Sequence, residues 1–256
     1  QGILSPEGLT KRQAKKKIID TAQTLGVLQD FAKTKTANFA MALVHKTLLE
    51  DLPEKPLNFY GHGANNAHQN LSNFYLTKIQ ISNTNMDIIS TAVNGDPRWG
   101  MTNDGTWCFS SSEQLFMFLK AVTMKDKVSA QRIYESKTPA EAKKLGRQVA
   151  PFDQILWDQR GPDCMLHSLL AKFHSCADSR TMLLETGSRV LAEASPRDCK
   201  WGIGLSKTKA SAGLPWRGKN LLGETLYQVR RLIKKSLAKP VQGYDDDTEE
   251  FVQSFY

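Results

Sequence analysis

Apolar residues recur with a helical period in the first fifty residues of the chain. They fall on one helix face between residues 15 and 28, and the stretch 39–49 repeats the pattern. Pro53 and Pro56 follow, and a proline disfavours helix in the residue before it. We therefore expect three regions: a helical N-terminal extension over residues 1–55, a domain over 56–240 and an acidic tail over 241–256.

After these prolines, short runs of apolar and β-branched residues alternate with glycine, asparagine and proline. Runs of this kind, bounded by turn-forming residues, are typical of strands. Four strands are predicted, at Leu57–Tyr60, Leu76–Ile81, Asp87–Val93 and Thr106–Phe109. The segment 94–97, Asn-Gly-Asp-Pro, separates the last two.

From residue 110 onwards the pattern is mainly helical. Ser111 or Ser112 can cap a helix that continues to Met124, and Thr138-Pro139 starts another, with Glu141 in the reciprocal capping position. The predicted helices are 113–124, 139–146, 152–160, 162–174, 179–184 and 222–237. We therefore expect a mainly α fold, of the α+β type with a small β element.

Composition narrows the class of protein. The 256 residues are 40% hydrophobic and 23% charged, as in an ordinary globular protein, and no run reaches the ~18 apolar residues of a membrane span. The first residues lack the basic-then-apolar order of a secretory signal. We therefore expect an intracellular protein, cytoplasmic or nuclear and not secreted, with no membrane partner. The oligomeric state is not indicated.

The cysteines and histidines give no sign of a metal centre. The four cysteines form no CxxC pair, and the five histidines show no zinc-type spacing. We expect free thiols, and we predict neither a metal site nor a cofactor.

The net charge of +8 is concentrated late in the chain. The stretch from Lys207 to Lys239 contains nine lysines and arginines but only one acidic residue, Glu224. Such a stretch favours phosphate-bearing partners through counterion release and steering, and a solvated helix face explains it equally well. Arg217 and Lys219, just before the last helix, are a candidate phosphate site at the helix N-terminus.

Glu113 and Lys120 are the first candidates for chemistry. They are seven residues apart and therefore project from nearly the same side of the predicted helix, among phenylalanine and leucine. Charged groups on a mostly apolar helix are costly unless they are paired or used. Two interpretations stay open: a partly exposed ion pair, or a carboxylate acid/base beside a lysine that anchors charge or acts as an amine nucleophile.

The segment 193–204 is the second candidate. It places Glu193, Asp198, Trp201, Gly202 and Gly204 within a dozen residues. Glycines beside an aromatic residue allow the backbone to approach a planar or phosphorylated ligand closely. The Gly-Ile-Gly string lacks the third glycine and the strand-to-helix context of a dinucleotide fingerprint.

The order of these motifs resembles the NADAR (YbiA-like) family over roughly residues 57–235. The segments that carry the resemblance are 71–75, 112–121, 141–147, 152–160, 172–173, 183–187, 193–204 and 220–223. The resemblance implies a compact multihelical domain with a small β element. It also implies cleavage of N-glycosidic bonds to ribose, including removal of ADP-ribose from guanine bases and hydrolysis of ribosylamino-pyrimidine intermediates.

By motif position, the resemblance also implies a set of site residues. The implied catalytic residues are Glu113, Lys120 and Asp198. The implied substrate-binding residues are Asn73, Phe74, Tyr75, Arg147, Trp157, Trp201, Gly202 and Gly204. The alternative for the tryptophans is a place in the core, and for Asp198 it is a helix cap. The implied partners are ADP-ribose or ADP-ribosylated guanine, in DNA or RNA.

Three functions remain open at this point. The first is a hydrolase that removes ADP-ribose from guanine in nucleic acid, which the basic stretch favours. The second is an N-glycosidase of ribosylamino-pyrimidine phosphates. The third, a non-catalytic binding module for ADP-ribose or nucleic acid, is disfavoured by the intact Glu113 and Lys120.

The chain departs from the family pattern in two places. Gln114 replaces the usual histidine, and the segment between Tyr75 and Trp107 is longer than usual. Both changes are expected to border the pocket and to affect substrate choice.

Overall fold

The structure, a computed structural model, describes residues 55–93 and 105–237. The predicted N-terminal extension, the segment 94–97 and the acidic tail lie outside these ranges. The strands are β1 (Leu57–Phe59), β2 (Ile79–Ser82), β3 (Thr106–Phe109) and β4 (Leu191–Glu193). The helices are α1 (Asn83–Ala92), α2 (Ser112–Thr123), α3 (Lys127–Tyr134), α4 (Pro139–Gly146), α5 (Gln154–Ser175), α6 (Ala177–Glu185), α7 (Lys207–Ser211) and α8 (Leu221–Leu237), besides a short 3-10 helix at Gln69–Leu71.

The strands of the described residues form two small sheets. β1 pairs in parallel with β4, with Phe59 opposite Glu193, and β2 pairs antiparallel with β3, with Ile79 opposite Phe109. The expectation of a mainly α fold with a small β element is confirmed. The predicted strands at 57–60 and 106–109 are also confirmed, and the one at 76–81 begins later, at Ile79.

The strand predicted at Asp87–Val93 is wrong, because this segment belongs to helix α1. Ser82 caps the helix by accepting the N–H of Asn85, and the residues buried along it are spaced three to four apart, at Met86, Ile89 and Val93. Ile88 lies on the exposed side. The apolar run therefore has a helical period and not an alternating one.

Helix α2 is the centre of the fold. It packs against α3, α4 and α5, and eleven of its twelve residues are buried, the exception being Lys120. Ser111 caps its first turn by accepting the N–H of Gln114. A helix that is covered on nearly every side holds its few polar residues in fixed positions, and these include Glu113.

Helix α5 replaces two predicted helices, 152–160 and 162–174, with one continuous helix that contains Pro162. A proline inside a helix costs about 3 kcal/mol, because it removes a hydrogen bond and crowds the preceding turn. Here α5 packs on α2 and α8, and its buried positions run on both sides of the proline, from Trp157 to Phe173. Packing of this continuous face outweighs the local penalty.

The remaining expectations concern cysteines and membranes. Cys108, Cys164, Cys176 and Cys199 are free thiols, as expected. No helix among the described residues combines the length and the apolar composition needed to cross a bilayer.

Candidate active site

A cavity of about 210 Å³ opens where α2, α4 and α5 meet the segments around residues 72–74 and 193–201. Eight of the predicted site residues line it: Asn73, Phe74, Glu113, Lys120, Arg147, Trp157, Asp198 and Trp201. The other lining residues are Ser72, Phe116, Met117, Lys143, Gly146, Met165, Glu193 and Leu222. The fold thus brings together residues that are more than a hundred positions apart in the sequence.

Glu113 is a buried carboxylate at the wall of this cavity. Its side chain is 4% exposed, and Oε1 lies 3.5 Å from Lys143 Nζ. Oε1 accepts no hydrogen bond from the described residues. Burial raises the pKa of Glu113, while Lys143 and Asn73 act in the opposite direction. The group can therefore exchange a proton closer to neutral pH than an ordinary glutamate can.

Lys120 does not pair with Glu113, so the ion-pair interpretation is wrong. Lys120 Nζ donates to the main-chain oxygen of Gly146 at 2.8 Å and lies 4.4 Å from the ring centroid of Phe152. Burial lowers the pKa of Lys120, and the nearby positive charge of Lys200 lowers it further. A lysine in this environment has a larger neutral fraction than an exposed lysine, which is the form that acts as a nucleophile.

Two further carboxyl groups face the cavity. Burial, followed by the charge of Asp198, raises the pKa of Glu193 to about 7. Asp198 Oδ1 accepts the N–H groups of Lys200 and Trp201 at 3.0 and 2.8 Å. No helix of the described residues begins directly after Asp198, so the helix-cap alternative is wrong: Asp198 stabilises a turn and also lines the cavity. At its raised pKa, Glu193 can hold a proton near neutral pH and donate it to a substrate in the cavity.

Aromatic rings form much of the remaining wall. Trp157 and Trp201 both pack against Phe116, with ring centroids 5.4 and 5.2 Å from that of Phe116. Across the cavity, Phe74 stacks on His62 at 5.6 Å, and Lys143 Nζ lies 5.2 Å from the Phe74 ring. Flat apolar walls with cations at their edges suit a base or a sugar that carries phosphate groups.

Comparison with known protein families identifies the family to which the chain belongs. A family model described as the NADAR domain matches residues 58–234, which is more than half of the chain. The chain belongs to the NADAR family.

Several curated proteins are similar to parts of the chain. Protein irg-1 of Caenorhabditis elegans is 40% identical over 126 residues, 48% of this chain and 59% of the relative. An N-glycosidase of Acanthamoeba polyphaga mimivirus is 38% identical over 48% of this chain and 73% of its own length. An N-glycosidase of Nostoc punctiforme is 35% identical over 57% and 86%, respectively.

The NMR structure of Escherichia coli YbiA has a similar fold. It matches with a TM-score of 0.50 at 21% identity, over 75% of this chain and 94% of YbiA. The expectation of a YbiA-like, mainly helical fold is confirmed.

Three of the predicted binding residues do not line the cavity: Tyr75, Gly202 and Gly204. A Cβ at Gly202 would lie 2.9 Å from the main-chain oxygens of Asp198 and Glu193. Gly204 has φ +68°, and a Cβ there would lie 2.9 Å from Cys199 Sγ. The two glycines therefore allow the chain to fold tightly on itself and present Trp201, instead of letting a ligand approach the backbone.

Neither Gln114 nor the described part of the segment between Tyr75 and Trp107 lines the cavity, contrary to expectation. Gln114 is buried away from it: Oε1 accepts the N–H of Ser110 at 2.7 Å, and Nε2 lies 2.9 Å from the main-chain oxygen of Tyr134 and 3.1 Å from that of Ser136. Gln114 thus ties the start of α2 to the end of α3. None of the described residues between 76 and 109 lines the cavity either.

The N-terminus of α8 is not available to phosphate, contrary to the expectation for Arg217 and Lys219. The first N–H groups of this helix are already used, since Leu221 donates to Lys200 O at 3.2 Å and Leu222 to Trp201 O at 3.0 Å. These bonds fix the turn that carries Trp201 to the helix.

Lys143 and Glu193 also line the cavity: the sequence analysis did not single out Lys143, and it placed Glu193 in the second candidate segment without a role. Both lie within the family motifs 141–147 and 193–204, but they are 30 and 80 residues from Glu113, and no spacing connects them to it. Their adjacency arises from the packing of α4 and β4 around α2. No group of three or more His, Cys, Asp or Glu side chains in the described part of the chain could hold a metal ion.

Proposed function

We propose that the protein is an N-glycosidase and that its substrate is an ADP-ribosylated guanine base in nucleic acid. The observation that carries the reaction class is the buried Glu113, with its raised pKa, in a cavity walled by aromatic rings and edged by lysines. The names of the viral and cyanobacterial relatives, both N-glycosidases, support the same class.

Cleavage of an N-glycosidic bond passes through an oxocarbenium-like state, which a neighbouring carboxylate stabilises. In our proposal the ionised Glu113 takes a proton from water, whose oxygen attacks the anomeric carbon. Glu193, protonated near neutral pH, gives its proton to the departing base nitrogen. Water adds across the broken bond, so that the products are the free sugar and the protonated base nitrogen.

Lys120 can take one of two roles in this reaction. As an ammonium it would stabilise negative charge on the phosphate or on the leaving base. As a neutral amine it would form an imine with the aldehyde of the ring-opened ribose, which water later hydrolyses. The lowered pKa of Lys120 supports the second part.

The size and charge of the cavity bear on the substrate. About 210 Å³ accommodates the reacting sugar and base, and leaves the rest of an ADP-ribosylated nucleotide on the rim. Arg147 and Lys143 lie at the cavity wall, where they can bind a diphosphate.

A ribosylamino-pyrimidine phosphate is the second candidate substrate. It is favoured by the likeness to the riboflavin biosynthesis protein PYRR of Zea mays, which is 34% identical over 107 residues, 40% of this chain and 16% of that protein.

Incubation with each substrate distinguishes these functions. We expect free ADP-ribose from an oligonucleotide that carries ADP-ribosylated guanine, and no product from the pyrimidine phosphate. Glu113→Gln is the matched control, because it keeps the shape of the side chain. Release of ribose phosphate from the pyrimidine compound alone would favour the second candidate. Binding of ADP-ribose without release from either compound would overturn the enzyme assignment.

A further inference from the structure

Lys172 is a buried cation that the proposed reaction does not use. It lies on α5 with no solvent exposure, and its Nζ donates a hydrogen bond of 2.8 Å to the main-chain oxygen of Ser72. The rings of Tyr75 and Phe173 lie 5.7 and 5.3 Å from Nζ. None of the ion pairs among the described residues includes Lys172.

Keeping a lysine in this place is costly. Burial lowers the pKa of Lys172 to about 7, and only Cys176 acts in the opposite direction. A methionine would fill similar space without the cost of burying a charge. Lys172 is not required to satisfy the Ser72 oxygen either, because that oxygen also accepts the N–H of Tyr75 at 3.2 Å. Neither packing nor hydrogen-bond satisfaction alone explains this lysine.

The segment that Lys172 holds, residues 72–74, forms the cavity wall beside Glu113. The main-chain oxygen of Asn73 accepts the N–H of Glu113 at 3.0 Å, and Asn73 Oδ1 accepts a hydrogen bond from Ser112 Oγ at 3.2 Å. The Asn73 side chain in turn lowers the pKa of the Glu113 carboxyl. Asn73 Nδ2 also donates to Met165 Sδ at 3.2 Å. The segment is thus clamped between α5 and the start of α2, and its position determines where the main chain of Asn73 holds the N–H of Glu113.

We propose that Lys172 is a positioning residue for Glu113: by holding the main-chain oxygen of Ser72, it keeps the main chain of Asn73 bonded to the N–H of Glu113 and Phe74 in the cavity wall. Lys172 acts through the segment, because its Nζ donates to Ser72, and the lysine paired with Glu113 is Lys143. The role rests on the proposed function only in that Glu113 is taken as the reacting group.

The test is a titration of the Glu113 carboxyl by carbon-13 NMR in the full chain without substrate. In Lys172→Met we expect the pKa of Glu113 to rise by about 0.5 to 1 unit, because Asn73 no longer stabilises the ionised form as well. The charged groups that face this carboxyl, Lys143, Glu193 and Asp198, are unchanged in the variant.

Lys234→Met is the matched control. Lys234 Nζ also donates to a main-chain oxygen, that of Gly187 at 3.1 Å, but this lysine does not line the cavity. It should leave the titration of Glu113 unchanged.

Kinetics give a second readout. Lys172→Met should lower kcat/KM by about tenfold. In the double variant with Ser112→Ala, the fall in kcat/KM should be smaller than the product of the falls in the two single variants, since both residues hold one segment. Lys172→Gln, which keeps a shorter uncharged donor, should shift the Glu113 pKa less than Lys172→Met does.

An unchanged Glu113 pKa in both Lys172 variants, or losses that simply multiply, would overturn the proposal. Failure of both variants to fold would also overturn it, because Lys172 would then serve the fold alone. Since the titration needs no substrate, a wild-type protein without N-glycosidase activity would contradict the proposed function and leave the positioning result standing.

Discussion

Lys143→Met should raise the pKa of Glu113, the carboxyl that we propose to be catalytic, because Lys143 is its ion-pair partner. The two groups are 3.5 Å apart, from Lys143 Nζ to Glu113 Oε1. At an effective dielectric constant of about 20 this separation corresponds to about 5 kcal/mol of attraction, which is an upper bound. Lys143 is 40% exposed, so water screens it and reduces the effect to about 1.5 kcal/mol. One pKa unit corresponds to about 1.4 kcal/mol, so we expect a rise of about one unit.

The pH profile of kcat/KM measures this change, since it reports the ionisations of the free enzyme. If Glu113 must be ionised to activate water, activity is lost as the pH falls through its pKa. In Lys143→Met this acid limb should move up by about one pH unit, and well below it kcat/KM should fall by about tenfold. Activity also falls at high pH, because Glu193 must be protonated and its pKa is about 7, and Lys143 lowers that pKa as well. The alkaline limb should therefore also move up in Lys143→Met, and the height of the maximum reports any separate loss of substrate binding.

Lys144→Met is the control for this experiment. Lys144 is the next residue on α4, is exposed and does not line the cavity, so its profile should match that of the wild type. An acid limb that stays in place in Lys143→Met, or moves to lower pH, would refute the assignment of Glu113 as the ionised base.

Three further predictions concern the lysine, the rim and the fold. Borohydride added during turnover should trap the ribose mass on Lys120 if an imine forms, and Lys120→Arg should then be inactive; substantial activity in the arginine variant would favour a purely electrostatic role. Arg217→Glu with Lys219→Glu, at two exposed residues that do not line the cavity, should weaken action on a modified oligonucleotide at low salt and spare a mononucleoside. Lys234→Glu, about 18 Å along α8 from the cavity, should matter less. Equal effects on both substrates would contradict a nucleic-acid substrate. Gln114→Leu should lower the free energy of unfolding, measured in urea, by about 3 kcal/mol, because buried carbonyls lose their donor, and the folded variant should stay active. A changed substrate preference without this loss of stability would indicate that Gln114 acts at the pocket.

The capping signals were reliable guides to the fold. Ser111 caps α2, and Thr138 caps α4 by accepting the N–H of Glu141. Glu141 Oε2 accepts the N–H of Lys137 at 2.8 Å, so the reciprocal bond lies one residue earlier than the predicted one. Such signals depend on a few neighbouring residues, which is why the sequence alone reveals them.

The sequence-based predictions of secondary structure were wrong where tertiary packing determines the structure. Pro162 was expected to separate two helices, but burial on both sides of it keeps α5 continuous. Helix α3, with a polar and short sequence over Lys127–Tyr134, was not predicted at all, although Asp126 caps it by accepting the N–H of Ser129. Its apolar residues are few, and they become a buried face only against α2.

In the candidate site, too, the sequence indicated some residues and tertiary packing determined the others. Glu113 and the segments that surround it followed from motif order, whereas the partner of Glu113 did not. The spacing of seven residues suggested Lys120, but Lys120 turns to Gly146 and Phe152, and Lys143 from another helix takes the place beside the carboxyl. A periodicity argument places two residues on one helix side and cannot show what a neighbouring helix brings there.

In our proposal Glu113 takes part in the reaction of a substrate bound in the cavity, and its role is not limited to binding that substrate. The most direct measurement compares binding and single-turnover cleavage of an ADP-ribosylated guanine oligonucleotide by the wild type and by Glu113→Gln. We expect Glu113→Gln to stay folded, to bind the oligonucleotide with an affinity within a few fold of wild type, and to release ADP-ribose at least ~100-fold more slowly. Release at a near-normal rate by this variant, or loss of binding that accounts for the whole effect, would contradict the proposal.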